Sequence, residues 1–490
     1  MCGKSTSQAA FLGRFRRFVS IEILCPIFSP CDITERMKKL TSIVLAAGKG
    51  TRMKSPLPNV LHPVAGVPMI ERAMRALSDA GVTETRVVVG HQKELVSQVV
   101  ERCGGLSFEQ KSQQGTGDAV RSANPDDIDG NVIILNGDHP LLTSDDLSKV
   151  LKEFEEANLD IAVVSCKVKK PGSFGRIVRQ HGKLAAIVEA KDAGPDTLKI
   201  NEVNTGIFIA RAEALNSSLG QVSNENAQGE YYLTDIIEIG INDGLNVDAI
   251  LASSRVGFGV NDQIQLAAAN RFAFRANARA AMLNGVTLID PGSTFIGSGV
   301  EIEGGVIIGP QVHLSGKTKI ATGVVIESQS TLVDSIIGQG TQLKSHCHFE
   351  GVVVENDCTI GPFARLRPNT TIRATAHIGN FVEMKKVDFG EGAKAGHLTY
   401  LGDAEIGKRV NIGCGTITCN YAADKKKYKT TIGEDVFVGS DSQFVAPVSV
   451  GDRAIIGSGS TITKDVPADA LAVGRSRQVT KEGYAKKFRK

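Results

Sequence analysis

Two glycines and an arginine within five residues mark the first place in this chain where chemistry can be done. The run Leu45-Ala46-Ala47-Gly48-Lys49-Gly50-Thr51-Arg52-Met53 follows a short apolar stretch. Gly48 and Gly50 let backbone N–H groups approach a polyphosphate. Arg52 can grip phosphate oxygens with two parallel hydrogen bonds. The loop is not a Walker A motif, because no GK[ST] closes it. It is not a dinucleotide fingerprint either, because Arg52 and Met53 occupy the region of the third glycine. A carboxylate follows at Asp138, after Asn136-Gly137, and is the hard oxygen ligand that Mg²⁺ prefers. Displacement at phosphorus fits this set.

A second group centres on His397, in Gly396-His397-Leu398-Thr399-Tyr400-Leu401-Gly402. A lone histidine is usually structural. This one keeps company with Glu383-Met384-Lys385-Lys386 and Arg365-Leu366-Arg367-Pro368 upstream, and with Asn411, Asn420 and Tyr421 downstream. Arg367 and Lys385 can bind a sugar phosphate, and Glu383 could orient the imidazole. Histidine suits the role of a base near neutral pH.

These groups need scaffolds, and the chain offers two kinds. From Thr41, apolar runs at Ile43-Val44-Leu45, Val87-Val88-Val89 and Val132-Ile133-Ile134-Leu135 alternate with helical patterns such as Ile70, Ala73, Met74 and Leu77, closed by Gly81. Such alternation predicts a mostly parallel, Rossmann-like α/β sheet, with ligands at the C-terminal strand ends. Residues 262 to 283 hold neither Gly nor Pro and read as one long helix. After Pro291 apolar residues recur every six positions, at Ile302, Ile308, Leu314, Ile320, Ile326 and Leu332, and later from Val354 to Met384 and from Ile432 to Ile462. That is the hexapeptide signature of a parallel β-helix, whose coils share one core. The period breaks over Val387–Asp403 and over Asn420–Thr430, which holds Lys425-Lys426-Lys427. Both breaks read as loops, where sites belong.

Composition excludes several classes. The 490 residues carry a formal net charge of +3, which gives no reason to expect a nucleic-acid or membrane partner. The nine cysteines form no CxxC pair and read as reduced thiols in a cytoplasmic protein. Arg14, Arg16 and Arg17 precede the apolar stretch Phe18 to Phe28. Glu22 and Pro26 interrupt that stretch, so it reads as a disordered extension rather than a targeting signal. The expected divisions are an extension over 1–36, an α/β domain with the phosphate-gripping loop over 37–261, a helical arm over 262–285, a β-helix over 286–474 and a tail over 475–490.

The first loop matches the sugar-nucleotide pyrophosphorylase signature L-x-x-G-x-G-T-R-M. Further matches follow in order: Gln110 and Gln113, Gln114-Gly115-Thr116-Gly117, Asn136-Gly137-Asp138, Phe174-Gly175-Arg176, Val188-Glu189, Asn204-Thr205-Gly206 and Asn226 to Tyr232. From Thr41 onward the chain resembles the bacterial bifunctional N-acetylglucosamine-1-phosphate uridyltransferase / glucosamine-1-phosphate acetyltransferase family. The resemblance implies a left-handed β-helix, a homotrimer, and Mg²⁺ with UTP and acetyl-CoA as co-substrates. It implies that Leu45, Ala46, Gly48, Gln110, Gln113, Gly115 and Thr116 contact the nucleotide. Gly175, Glu189 and Asn204 would hold the N-acetylglucosamine moiety, and Asp138 and Asn261 the metal. His397 would be the general base. Arg367, Lys385, Tyr400 and Asn411 would bind glucosamine-1-phosphate, and Asn420, Tyr421, Ser440, Ser458 and Arg475 the acetyl-coenzyme.

One departure stands out. The family's L-P-K-V-L reads Leu57-Pro58-Asn59-Val60-Leu61 here, and Asn136 replaces a bulkier residue. Either uridylyl transfer is weakened, or the phosphate contact shifts to Lys49 or Lys54. Two alternatives therefore stand beside the bifunctional reading. One is an acetyltransferase with a weakened N-terminal domain. The other is a pyrophosphorylase with a structural β-helix, against which His397 and its neighbours argue.

Overall fold

A computed structural model describes residues 39–226 and 228–489. The extension expected over 1–36 lies outside the described residues, as does Ala227. The described residues from Leu40 onward form one compact unit.

The N-terminal half is built on a sheet of β1 (Leu40–Ala46), β2 (Glu84–Val89), β3 (Leu106–Glu109), β4 (Asn131–Asn136), β5 (Ile161–Lys167), β6 (Arg176–Gln180), β7 (Lys183–Val188), β8 (Glu202–Arg211) and β9 (Val247–Ala252). The main order is β9-β5-β8-β4-β1-β2-β3, with the β6–β7 hairpin carried on β8. β1 pairs in parallel with β2 and β4, whereas β8 runs antiparallel to β4 and β5. The strands are apolar runs because helices cover both faces. Ile43, Val44, Ile133 and Ile134 are fully buried. Helix α1 (Met69–Asp79) buries Ile70, Ala73, Met74 and Leu77, as its spacing predicts.

The long helix spans Gln263–Leu283, capped by Asp262, whose side chain accepts from Gln265 N. Its alanine face, Ala269 and Ala273, packs on Val64, Ala65, Met69 and Val260. Arg72 adds a polar tie between the halves. Its Nε donates to Pro140 O at 2.8 Å and its Nη1 to Ser298 Oγ in the first coil at 2.7 Å.

From Thr287 the chain is an all-parallel coiled sheet. Three short strands make each coil, and partners lie 17 or 18 residues apart, as in His313↔Thr331 and His348↔Arg365. The six-residue register points Ile308, Leu314, Leu332, Ile360, Leu366 and Ile378 into one fully buried core. The core runs unbroken through Ile337, Leu343 and Phe349, because each shortened coil drops one residue at a corner.

One expectation fails here. Val387–Asp403 is not a loop. His377–Phe389 and Lys394–Ile406 are two long strands paired in register, with Ala395, Leu401 and Ile406 in the core. The Asn420–Thr430 break is real. Partners across it lie 26 apart, as in Asn411↔Phe437, so the insertion projects without disturbing the next coil.

Candidate active sites

β1 and β4 are parallel neighbours, so the turns after Ala46 and Asn136 emerge at the same sheet edge. Gly137 N donates to Leu45 O at 2.9 Å and joins the two turns. They open onto a cavity of about 520 Å³. Leu45, Ala46, Gly48, Arg52, Gln110, Gln113, Gly115, Thr116, Asp138 and Asn261 all line it, with Lys49, Asn59, Asn136 and Glu230. Lys54 is not among the lining residues.

The walls are fixed by specific bonds. Gln113 Nε2 donates to Ala47 O at 2.6 Å, and Gln110 Nε2 to Asp118 Oδ2 at 2.7 Å. Gly115 has φ of 114°, and a Cβ there would lie 2.5 Å from Tyr231 O. Only glycine fits this turn. Thr116 Oγ1 accepts from Leu233 N at 3.0 Å, and Tyr231 N donates to Gln114 O at 2.8 Å, which ties the Gln114–Gly117 motif to the Asn226–Tyr232 motif.

Asp138 and Asn261 meet through the backbone, since Val260 N donates to Asp138 O at 3.0 Å. Burial pushes the Asp138 carboxyl up, opposed by nearby His139 and Arg52. Arg52 Nη2 donates to Asn261 Oδ1 at 2.6 Å. An aspartate and an amide oxygen facing a polar cavity suit a hard cation that keeps water or phosphate as its other ligands. Among the described residues no cluster of three His, Cys, Asp or Glu could hold a metal, so a closed zinc-type site is not built here. Sequence reasoning passed over buried His139, whose Nδ1 has no partner.

Gly175, Glu189 and Asn204 are together, but beside the cavity lining rather than within it. A Cβ on Gly175 would lie 3.2 Å from Glu189 Oε1. Asn204 N donates to Gly175 O at 2.9 Å, and Asn204 Oδ1 accepts from Gly206 N at 2.7 Å. Gly206 backs onto Asn136 in the cavity wall, where a Cβ would lie 2.6 Å from Asn136 Nδ2. Buried Arg176 braces this loop through Gly172 O at 2.9 Å. Burial raises the Glu189 carboxyl, helped by Asp192 and Asp235. Burial, with Glu238 and Asp192, pushes Asp235 up to about 6.

Asn59 has a local job. Its Nδ2 donates to Val260 O at 2.9 Å, next to Asn261, while its Oδ1 is buried without a partner. Asn59→Lys should remove the orphaned oxygen and put a cation on the cavity wall. A charged phosphate contact contributes about 1.5–3 kcal/mol, and the lost Val260 bond costs about 1 kcal/mol. The lost bond acts on folding stability and the new contact on the rate, so the expected result is a rise of about ten- to a hundredfold in uridylyl transfer rate. Steady-state kinetics check this. Unchanged or lower activity would mean that another residue, such as Lys49, already fills the role.

The second site lies on the β-helix. In-register stacking puts Asn380 opposite His397 and Glu383 opposite Tyr400. His397 is exposed, and its Nδ1 lies 3.0 Å from Asn380 Oδ1. The expectation that Glu383 orients the imidazole is therefore corrected, because Glu383 Oε1 accepts from Arg367 Nη1 at 3.0 Å. Lys385 is pushed down first by Lys427, then by Arg367. The inserted loop delivers Lys427: it folds back as a hairpin in which Tyr421 bridges to Lys427. Three crowded cations make an anion site, and Lys427 is a member that motif reading did not single out.

Asn420 is buried and donates to Asp403, whereas Tyr421 is exposed. Asn411 pairs with Lys394 and belongs to the face before the His397 corner, while Tyr400 lies on the face after it. Ser440 and Ser458 occupy one corner in successive coils, where Gly459 N donates to Ser440 O at 2.8 Å. Arg475 reaches the same corner, its side chain 3.4 Å from a Cβ built on Gly459.

Comparison with known proteins agrees with this two-part reading. A MobA-like NTP transferase domain model matches residues 42–197, and a model of six bacterial transferase hexapeptide repeats matches 429–464. A Bdellovibrio bacteriovorus protein named "Bifunctional protein GlmU" is 56% identical, over 91% of this chain and 98% of its own length. Proteins of the same name from Geotalea uraniireducens and Streptococcus mutans are 44% and 45% identical, each over 91% of this chain and over 99% and 97% of their own lengths.

Proposed function

Since the chain belongs to the family of bifunctional GlmU proteins, we propose how its residues divide the two transfers between its two scaffolds. The protein is an enzyme of UDP-N-acetylglucosamine synthesis. It acetylates glucosamine-1-phosphate and transfers a uridylyl group to N-acetylglucosamine-1-phosphate. The observation that carries the assignment is the shared cavity of Arg52, Asp138, Asn261, Gln110 and Gln113 at the sheet edge.

In that cavity the backbone of Gly48 and Gly50 and the side chain of Arg52 hold the UTP phosphates. Asp138 and Asn261 would hold Mg²⁺, which would supply positive charge against the phosphates. Gly175, Glu189 and Asn204 hold the sugar so that its phosphate oxygen attacks the α-phosphorus in line and pyrophosphate leaves. On the β-helix, Arg367, Lys385 and Lys427 hold the phosphate of glucosamine-1-phosphate, and Tyr400 and Asn411 its sugar. His397 takes a proton from the sugar's amine as the amine attacks the thioester carbonyl of acetyl-CoA. Asn420 and Tyr421 lie at the thioester, and Ser440, Ser458 and Arg475 grip the coenzyme.

We assign uridylyl transfer to 37–261, the arm to 262–285, acetyl transfer to 286–474 and a tail to 475–490. A homotrimer is supported by one corner of the β-helix. There Phe363 stacks on His346 with centroids 4.5 Å apart and on Phe381 at 5.2 Å. Phe363, Phe381 and Leu398 are exposed, next to His397. Among the described residues no helix is long and apolar enough to cross a membrane, and six cysteines are unpaired. These support a cytoplasmic enzyme.

Assaying the two half-reactions separately on the purified chain tests the reading. Both should proceed, and chelation by EDTA should stop uridylyl transfer while leaving acetyl transfer unchanged. Loss of both on chelation, or only one activity in the presence of Mg²⁺, would overturn the division.

A further inference from the structure

Asn420 is only 6% exposed, yet it sits where the acetyl group is placed above. Its orientation is set by one neighbour. Asn420 Nδ2 donates to Asp403 Oδ2 at 2.6 Å. An ionised carboxylate can only accept, so it fixes which end of the amide is which. Among the described residues Asn420 Oδ1 accepts from no donor, and it is not sealed from solvent. The oxygen is the end of the amide left open to solvent.

The surroundings are built around this pair. Asp403 adopts φ of 48° at a corner, an uncommon conformation for a residue with a side chain. Gly402, just before it, is pinned from both sides by Thr418 Oγ1. The Gly402 N–H donates to that hydroxyl at 2.7 Å, and the hydroxyl donates to Gly402 O at 3.1 Å. A Cβ on Gly402 would lie 2.5 Å from the Tyr400 hydroxyl and 2.7 Å from Asn420 Nδ2. The Tyr400 hydroxyl and the Asn420 amide therefore meet over a bare Cα. Asp403 also lines a cavity of about 450 Å³ with Lys427.

We infer that Asp403 is a positioning residue for acetyl transfer, holding the Asn420 amide so that its oxygen accepts an N–H from the attacking amine. This rests on the placement of Asn420 at the thioester given above. An acceptor at that point turns the amine's lone pair away from the protein and toward the carbonyl. The reversed amide would present N–H donors, which would engage the amine's lone pair and hold it back from the carbonyl. The chemical class selected is a primary amine.

The test is a double-mutant cycle with Asp403→Ala, Asn420→Ala and both together. Misplacing an orienting group costs about ten- to a hundredfold in turnover. Asp403→Ala should lower acetyltransferase kcat by that factor and leave the KM for acetyl-CoA nearly unchanged. Asp403→Asn, whose oxygen can still accept, should recover part of the loss. The double variant should be no slower than Asn420→Ala alone, because groups acting through one another are not additive. Uridylyl transfer and the thermal midpoint, read on the same samples, report folding. Losses that multiply in the double variant, or an Asp403→Ala enzyme within about twofold of normal, would overturn the inference alone. Normal acetyl transfer in Asn420→Ala would overturn the placement of Asn420 as well.

Discussion

Asp138→Ala should reduce uridylyl transfer by at least about 10²–10³-fold while acetyl transfer continues at its normal rate. The carboxylate lines the cavity with Asn261 and Arg52, and its backbone is bonded to the residue next to Asn261. Without it the site loses the carboxylate that accompanies Asn261, and an amide oxygen alone holds a divalent ion poorly. The fold should not suffer. Burial holds the Asp138 carboxyl above its usual range, and its nearest ionisable partner, His139 Nε2, stands 3.8 Å away. A carboxyl whose folded pKa is raised is most favourable to the fold below its unfolded pKa, and that advantage disappears as pH rises through the folded value. At neutral pH its ionised form costs stability, so removing it should leave the thermal midpoint unchanged or slightly higher without metal. Separate assays of the two transfers and a melting curve decide the matter. Equal loss of both activities would indicate misfolding and sink the metal-site assignment.

His397→Ala should lower acetyltransferase turnover by about 10²–10⁴-fold, the usual contribution of a general base. With Asn380 Oδ1 accepting from Nδ1, the imidazole keeps its proton on that nitrogen and offers the lone pair of Nε2. The side chain is exposed and lies outside the core register, so the thermal midpoint should barely move. Uridylyl transfer should be unaffected, because its cavity is lined entirely by residues before the long helix. Near-normal acetyl transfer in this variant would remove the base from the mechanism and favour a structural β-helix.

The first loop, the Asn136-Gly137-Asp138 turn and the hexapeptide core were legible because each is written in contiguous residues. β1 and β4 are unbroken apolar runs, and Ile308 to Leu332 keep one period. The neighbourhood of His397 was only half legible. Its hydrogen-bond partner lies 17 residues back, at Asn380, a distance set by the coil and not by any local motif. Glu383 was closer to hand in the charged run, but stacking faces it toward Arg367. The same one-residue corner shortening hid the core between Leu332 and Val354, and made Val387–Asp403 look like a loop. Small core residues such as Ala393, Ala395 and Ala404 weaken the apolar signal there. Lys427 was visible as charge, but its approach to Lys385 depends on a hairpin that sequence spacing does not encode.

The 26-residue coil has a wider meaning. Ala404 pairs with Thr430, and Ile417 with Gln443, as though the intervening hairpin did not exist. In this solenoid a corner can lengthen without any strand losing its partner, whereas an insertion within a strand would turn its side chains to the wrong face. New reach can therefore be added at a corner while the core beneath stays as it was. The lysine-bearing hairpin is such an addition, and substrate preference in a scaffold of this kind can diverge one corner at a time.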